Sequence, residues 1–316
     1  MVLTVHASCI RGRRQGHWTA DAEYSAVLSY QHSYHAGNHA DVLKHVVLGD
    51  VLAAMQQKDA ALFSLDAFAS RGSCDLDSVE ALKNREFNSG IGRIWAHRHE
   101  SMPEGVDRWL QTVRAMNNVD RCTTYPGSTA LLHHWLREQD RLAACEMHPQ
   151  EFDALRSSFN SSRHLALHKR DAYEALGALL PPKEKRGLIF LDPSFEEKDE
   201  YRRIGSAVVT AYPHFRAGVY LIWYPLLPAG REKELFRTLQ KSGIRKILRV
   251  ELQGNGTFGE AENPMQMQGS GMLIVNPPWH AEQGIRDSLA WLKGTLCPSS
   301  GRLSSSSCRF DWLVPE

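Results

Sequence analysis

The chain has 316 residues, of which 42% are hydrophobic and 23% are charged, a composition that suits one large globular domain. Its 37 basic residues nearly balance its 36 acidic residues, which excludes a strong overall positive field that would attract nucleic acid. Any RNA-binding surface must therefore be a local patch. The six cysteines lack the spacing of zinc ligands, and no apolar run reaches the roughly 20 residues of a membrane span. We expect a soluble, cytoplasmic protein with reduced thiols.

Residues 1–26 stand apart as an N-terminal extension. They contain Arg11, Arg13 and Arg14 and no acidic residue before Asp21, which loosely resembles an organellar presequence. The alternatives are a disordered tail or a misassigned start codon, with the true start at Val27, and we favour these over organellar targeting. We predict one folded domain over residues 27–316.

A helical pattern opens this domain. From residue 38 onwards, hydrophobic residues recur at spacings of three and four, as on the buried face of a helix. They are Val42, Leu43, Val46, Val47, Val51, Leu52 and Met55. This periodicity predicts the first helix of the fold.

Seven short apolar runs follow, and most of them are separated by helix-like segments. They occupy residues 61–66, 142–146, 164–168, 187–192, 218–223, 247–252 and 271–276. Strands that alternate with helices predict an α/β fold with a Rossmann-like, mostly parallel sheet, here of seven strands. Residues 74–123 contain helix-like stretches but no strand pattern, so we interpret them as a small helical insertion.

Acidic residues stand at the ends of four predicted strands: Asp66, Glu146 and Asp192 end three of them, and Asp171 follows a fourth. Ligands of open α/β sheets bind beyond the carboxyl ends of the strands. A carboxylate after the second strand suits the hydroxyls of a ribose, and one after the third suits an adenine amino group. Each acid could instead simply cap the next helix. Four acids in register favour a nucleoside-binding site.

The catalytic candidate is Asp192-Pro193-Ser194-Phe195, which follows a predicted buried strand. It resembles the Asp/Asn-Pro-Pro-aromatic signature of enzymes that methylate exocyclic amines. Asp192 and the carbonyl of Pro193 would accept the two amino hydrogens and make the nitrogen a better nucleophile. Phe195 would stack on the extruded base.

A second match to that signature is Asn276-Pro277-Pro278-Trp279. It follows the last predicted strand, on the far side of the sheet, and lacks the acids that precede a cofactor site. We interpret it as a structural turn.

Residues 30–39 form a polar segment rich in histidine and tyrosine. We interpret it as a flexible segment that becomes ordered over the active site and offers rings and donors to RNA. The alternative is a polar arm packed on the sheet. His35 and His39 are four residues apart, but no third ligand accompanies them, so we predict no metal.

Residues 28–45, with the sequence LSYQHSYHAGNHADVLKH, resemble the N-terminus of the bacterial J-type methyltransferases that modify an adenine N6 of 23S ribosomal RNA. The likeness continues through residues 125–128, the strand that ends at Asp192, and residues 223–225, 243–248, 276–279 and 312–316. It therefore covers essentially all of the chain after residue 26. It implies a class I methyltransferase fold with S-adenosylmethionine (SAM) as donor and protein-free 23S rRNA as substrate, and we expect a monomer.

The resemblance also implies roles for individual residues. Asp192 matches the catalytic residue, and Tyr30, His32 and Lys44 match positions at the RNA-facing or catalytic end. With the loop residues after the first strand, the expected cofactor contacts are His45, Asp66, Phe68, Gly72, Ser128, Glu146, Asp171 and Ala172.

Two departures from the family pattern concern the site. In the cofactor loop, Phe68 replaces a histidine and Ser70 replaces a glycine, which removes a cofactor contact and adds a side chain where the backbone should come close. In the signature, Ser194-Phe195 replaces Pro-Tyr. These changes leave three hypotheses: an active adenine-N6 methyltransferase with weakened cofactor binding, a catalytically silent RNA-binding or ribosome-assembly factor, and a methyltransferase acting on DNA or a protein amide. The N-terminal sequence argues against the third.

Overall fold

The computed structural model describes residues 32–118, 120–159, 162–254, 267–297 and 306–316. The predicted extension at residues 1–26 and the RNA contact predicted for Tyr30 lie outside the described residues. A central eight-stranded sheet contains β1 (Phe63–Asp66), β4 (Arg141–Cys145), β5 (Leu165–His168), β6 (Gly187–Leu191), β7 (Val219–Leu226), β8 (Ile247–Gly254), β9 (Gly269–Val275) and β10 (Ser306–Val314). A two-stranded antiparallel ribbon is formed by β2 (Ser73–Asp75) and β3 (Thr124–Pro126).

The strand order of the sheet is β10-β8-β9-β7-β6-β1-β4-β5. Pairs from β5 to β7 are parallel, whereas β9 is antiparallel to both of its neighbours and β10 is antiparallel to β8. All seven predicted strands are confirmed, but the predicted count was wrong because the C-terminal strand β10 was missed. After β1, the chain forms β4 and β5 on one side of this strand and then crosses to form β6 on the other side. The switch point in strand order therefore lies between β1 and β6, where open α/β sheets bind ligands.

Ten helices surround the sheet in the described part of the chain. They are α1 (His39–Gln56), α2 (Val79–Asn84), α3 (Ile91–Ala96), α4 (Glu104–Ala115), α5 (Ser128–Trp135), α6 (Pro149–Ser158), α7 (Ala172–Leu179), α8 (Glu200–Ala211), α9 (Glu232–Lys241) and α10 (Ala281–Leu296). Apolar residues of α1, α4, α5 and α10 pack in one core cluster, and those of α7, α8 and α9 in a second. Because both faces of the sheet are covered, its central strands are apolar throughout.

Helix α1 is the predicted first helix, and it is confirmed. Asn38 caps it: the side-chain oxygen of Asn38 accepts hydrogen bonds from the backbone amides of Ala40 and Asp41, each at 2.9 Å. Almost every residue of this helix is buried, including Lys44 and His45. Burial of these polar residues indicates that the start of α1 contributes to a site.

The segment before α1 is held by residues from the part of the sequence that connects β1 to β4. Glu86 accepts hydrogen bonds from the Asn38 amide group at 3.0 Å and contacts Nδ1 of His35 at 2.8 Å. The backbone amide of Ile91 donates to the carbonyl of Gly37 at 2.8 Å. Gly90 permits this approach, since a Cβ atom there would lie 2.1 Å from the Gly37 oxygen. Glu86 and the start of α3 thus anchor residues 35–38.

No helix within the described ranges combines the length and the apolar character needed to cross a membrane.

Candidate active site at the switch point of the sheet

An ion pair joins the end of β6 to α1. Asp192 directly follows β6, and its Oδ2 lies 2.6 Å from Nζ of Lys44. The side chains are only 13% and 5% exposed, respectively. Burial raises the pKa of Asp192, and the charge of Lys44 opposes that rise. Asp192 is thus a carboxylate in a low-dielectric setting with one oxygen held by a cation.

Asp41 holds the other side of Lys44. Its Oδ1 lies 2.6 Å from the Lys44 Nζ, while its Oδ2 lies 3.1 Å from His32 Nε2 and accepts a hydrogen bond from the Gly37 amide at 2.8 Å. Burial alone would raise the pKa of Asp41, but Lys44 and His32 lower it well below its ordinary value. Asp41 therefore connects the N-terminal polar segment to the ion pair at Asp192.

Aromatic rings border the ion pair. The ammonium of Lys44 lies 5.3 Å from the ring centroid of Trp223, which is half-buried. Phe195 follows buried Pro193 with a φ of +55°, and its ring packs 4.5 Å from Tyr201 and 5.7 Å from Trp223. Only 9% of Phe195 is exposed. In this conformation the ring predicted to stack on a base is mostly covered by its neighbours.

Asp66, at the end of β1, is fully buried beside the ion pair. Its Oδ2 accepts hydrogen bonds from the hydroxyls of Ser128 at 2.7 Å and Thr129 at 2.6 Å. Its Oδ1 has no hydrogen-bond partner among the described residues. Burial raises the pKa of Asp66 to about 6, although the two hydroxyls oppose the rise. An unsatisfied buried oxygen at a switch point is suited to a ligand that carries a donor or a positive charge.

Glu146 closes the loop after β1. Its Oε2 accepts from the backbone amide of Ser70 at 2.8 Å, and its Oε1 accepts from that of His148 at 2.7 Å. A carboxylate has about four lone-pair sites, so it can accept further donors such as two ribose hydroxyls. Burial raises the pKa of Glu146. Ser70 adopts a φ of +51°, a left-handed conformation that favours glycine, and its hydroxyl points to Glu151 at 3.3 Å.

Three further predicted cofactor residues lie in the loop after β1 (Phe68) and between β5 and α7 (Asp171 and Ala172). Phe68 is half-buried and meets Tyr173 edge to face, with 5.8 Å between the ring centroids. Asp171 caps α7: its Oδ1 accepts from the backbone amides of Tyr173 and Glu174 at 2.8 and 3.0 Å. Ala172 is buried at the first position of that helix. The structure therefore shows Asp171 as a helix cap. Its Oδ2 is the oxygen that remains to accept a hydrogen bond from a cofactor.

Two predicted cofactor residues face inward. His45 is 1% exposed, and its Nδ1 lies 2.9 Å from the hydroxyl of Tyr125. Burial lowers the pKa of His45 to about 3, so the ring is neutral at ordinary pH. Gly72 has a φ of +84°, and a Cβ atom there would lie 2.9 Å from the ring of Phe159. Its carbonyl accepts from the amide of Gly127 at 2.8 Å. This glycine is required by local packing.

The arrangement fits SAM at the carboxyl ends of β1 and β4. Asp66 offers a free oxygen to a cationic amino group, and Glu146 offers acceptors to a ribose. Within the described residues, no group of three or more His, Cys, Asp or Glu side chains is placed to hold a metal ion.

Sequence reasoning missed two residues of this site. Asp41 was not singled out, because an acid in the first turn of a helix is also typical of simple dipole stabilisation. Thr129 was not predicted either, although it directly follows the predicted Ser128. Both residues are polar and are buried in the folded protein. A buried polar group costs free energy unless it is hydrogen-bonded, and the sequence alone did not show that these two positions are buried.

A family model described as ribosomal RNA large subunit methyltransferase D, RlmJ, matches residues 59–314 of the chain. The chain belongs to this family. The ribosomal RNA large subunit methyltransferase J of Escherichia coli is 36% identical over 290 residues, which are 92% of this chain and 100% of that protein. The protein of the same description from Haemophilus influenzae is 36% identical over 291 residues, again 92% of this chain and 100% of that protein.

A solved structure shows the same fold. Protein LPL1258 from Legionella pneumophila is 35% identical, and it superimposes with a TM-score of 0.78 over 88% of this chain and 98% of that chain. The resemblance found in the N-terminal sequence is therefore confirmed at the level of both family and fold.

Proposed function

We propose that this protein transfers a methyl group from SAM to the N6 of one adenine in protein-free 23S rRNA. The observation that carries the proposal is the Lys44–Asp192 ion pair, buried at the switch point beside the unsatisfied oxygen of Asp66. Membership of the RlmJ family supports a SAM-dependent methyltransferase of large-subunit rRNA. The Asp-Pro-x-aromatic sequence after β6 supports an exocyclic amine as the acceptor.

The mechanism follows from the two oxygens of Asp192. Lys44 occupies Oδ2, which leaves Oδ1 and the carbonyl of Pro193 to accept the two hydrogens of an adenine N6. These hydrogen bonds direct the nitrogen lone pair away from the ring and raise its nucleophilicity. SAM, when bound, would supply the electrophilic methyl group, and S-adenosylhomocysteine would leave as the bond between the methyl carbon and the sulfur breaks. After the carbon–nitrogen bond has formed, Asp192 accepts the proton that the cationic amine must lose.

His32 and Trp223 are proposed to complete the pocket for the flipped adenine. His32 is positioned by Asp41, and the half-buried indole of Trp223 is bordered by Lys44 and Phe195. An adenine that enters between these groups would be desolvated, and its hydrogen bonds to Asp192 would be stronger than in water.

A specific observation favours a second candidate, a catalytically silent RNA-binding factor. Phe68 lies against Tyr173 in the cofactor loop, and Ser70 holds a backbone conformation that favours glycine. If these residues prevent SAM from binding, the fold would retain only its RNA-binding role. Calorimetric titration with SAM separates the two: binding in the micromolar range, roughly −8 kcal/mol at 1 μM, supports the enzyme, and no binding at millimolar SAM supports the silent factor.

The deciding experiment for the proposed reaction uses isosteric variants. Unmodified 23S rRNA transcript is incubated with labelled SAM, and the nucleosides are identified by mass spectrometry. We expect N6-methyladenosine from wild type. Asp192→Asn is expected to lose at least roughly 100-fold in rate, because an amide cannot form the ion pair with Lys44 or accept the proton, and to keep its SAM affinity. Asp199→Asn, the same substitution at a surface ion pair with Arg202, is the matched control and keeps wild-type activity. Another methylated base, or an Asp192→Asn variant that no longer binds SAM, would refute the assignment.

We also propose that the protein acts as a monomer in the cytoplasm. The sequence supports this with its ordinary composition and its lack of a long apolar run. Sedimentation equilibrium of the purified protein tests the monomer.

A further inference from the structure

Trp279 is the most exposed large hydrophobic side chain in the described part of the chain, with 87% of its surface open. It ends the turn between β9 and α10, at the amino edge of β6 and β7 and away from Asp192. A side chain this exposed contributes little to the core. An open indole face is, however, an effective stacking surface for a nucleobase.

The backbone that carries this ring is held in a defined turn. Asn276 adopts a φ of +53°, and its side-chain amide donates to the carbonyls of Arg216 at 2.8 Å and Gly218 at 2.9 Å. Pro277 and Pro278 follow, and each fixes its own φ. A backbone held by such a turn loses little conformational entropy when the ring binds a base.

Basic residues lie along the same edge of the sheet. The backbone amide of Asn276 donates to the carbonyl of Lys246 at 3.0 Å, and the Asn276 side chain reaches Arg216, which precedes β7. The parallel register pairs Leu188 of β6 with Val219 of β7, and Lys185 and Arg216 each precede these residues by three positions, at the same edge of the sheet. Both of these side chains are exposed, and neither has an ion-pair partner among the residues that the structure describes. Lys246, by contrast, pairs with Glu316. This edge therefore combines an open indole with uncompensated positive charge.

We propose that this amino edge binds a single-stranded segment of the RNA substrate, with Trp279 stacked on a base and Arg216 and Lys185 on phosphates. The inference rests on the proposed function. The five residues of β6 span about 17 Å, so this segment is distinct from the adenine that reaches Asp192. The turn that resembles the catalytic signature is thus a structural turn that displays a second RNA contact.

The test compares two RNAs: full-length unmodified 23S rRNA and the shortest fragment that wild type still methylates. Trp279→Ala is expected to weaken binding to the full-length RNA by roughly tenfold, and Trp279→Phe to recover most of it. Arg216→Glu is expected to reduce the slope of log affinity against log salt by about one or more. Arg237→Glu, the same charge change at an exposed position on α9, is expected to change neither the affinity for the full-length RNA nor its dependence on salt. The ring is outside the core, so Trp279→Ala should unfold at the wild-type temperature and keep its kcat on the short fragment.

Equal affinity of Trp279→Ala and wild type for the full-length RNA would overturn the inference. So would a shift from dimer to monomer in Trp279→Ala, because it would show that a second copy of the chain covers the ring. Failure of wild type to methylate any rRNA would refute the proposed function. If wild type methylates the rRNA but Trp279→Ala binds the full-length RNA as tightly as wild type, only the second contact is refuted.

Discussion

The ammonium of Lys44 lies 2.6 Å from an oxygen of Asp192 and at the same distance from an oxygen of Asp41. The buried side chain of Lys44 is thus shared by two carboxylates, of which Asp41 is buried and Asp192 is 13% exposed. In this triad two acidic side chains contact one basic side chain. The arrangement assigns Asp41 a positioning role: it fixes where the Lys44 ammonium meets Asp192.

Asp41→Asn is therefore expected to lower kcat by roughly tenfold or more, an effect of about 1–3 kcal/mol on a buried charge pair. SAM affinity should not change. If Asp41 acts through Lys44, its substitution should have little further effect in a Lys44→Met background, which a double-mutant cycle of kcat/KM measures. Asp50→Asn is a matched control, since Asp50 is another buried carboxylate of α1. Additive losses in the double variant would show that Asp41 does not act through Lys44.

Asp66→Asn should increase stability while weakening cofactor binding. Burial raises the Asp66 pKa from 3.8 to about 6, so between these values the folded state holds a proton that the unfolded state has lost. Stability therefore falls as pH rises through this window, and the whole penalty is present above pH 6. We expect Asp66→Asn to raise the free energy of unfolding at pH 7.5 by on the order of 1–3 kcal/mol.

The same variant should lose affinity for SAM, because Oδ1 of Asp66 is the unpaired acceptor. Wild-type SAM affinity should correspondingly rise as pH increases through about 6. Thermal unfolding without ligand and calorimetry with SAM measure the two effects. A variant that is less stable than wild type, or that binds SAM as tightly, would contradict the role given to this carboxylate.

The cofactor loop should improve when its family residues are restored. Ser70 holds a left-handed conformation that costs roughly 1 kcal/mol, while Phe68 lies against Tyr173. We expect Phe68→His with Ser70→Gly to tighten SAM binding by roughly tenfold, or about 1.4 kcal/mol. Ser70→Ala is the control, because it removes the hydroxyl contact with Glu151 but keeps the Cβ atom. If the double variant binds SAM no better than wild type, the loop is not the weak point.

The apolar runs predicted the sheet well because strands covered on both faces read as uninterrupted hydrophobic sequence. Strand β10 was missed because it is an edge strand, and Arg309 and Asp311 lie on its exposed side. Its sequence therefore contains only a short apolar run, from Trp312 to Val314, and its pairing with β8 is a long-range contact.

The sequence predicted the acidic residues of the candidate site but not the contacts that link them. Asp66 is the last residue of β1, and Glu146 and Asp192 directly follow β4 and β6, so topology alone brings the three acids to one edge of the sheet. The link from Asp41 to Asp192 joins residues 151 positions apart through Lys44, and no local pattern indicates it. The covered state of Phe195 depends on a positive φ that the sequence, lacking glycine there, did not indicate.

Attachment of the N-terminal segment should depend on pH through His35. The hydrogen bond to Glu86 raises the pKa of His35 above its ordinary value, although partial burial opposes this. The protonated ring is therefore favoured in the folded state, and the stabilisation is full below about pH 6.5 and lost as pH rises through the raised pKa. Hydrogen exchange of the Ile91 amide, which donates to Gly37, reports on this attachment. We expect its protection to decrease with rising pH in wild type, after correction for the intrinsic exchange rate, and to be low and nearly independent of pH in Glu86→Gln. His97→Gln, which breaks the exposed pair with Glu100, is the control. A pH dependence that persists in Glu86→Gln would mean that another group holds the segment.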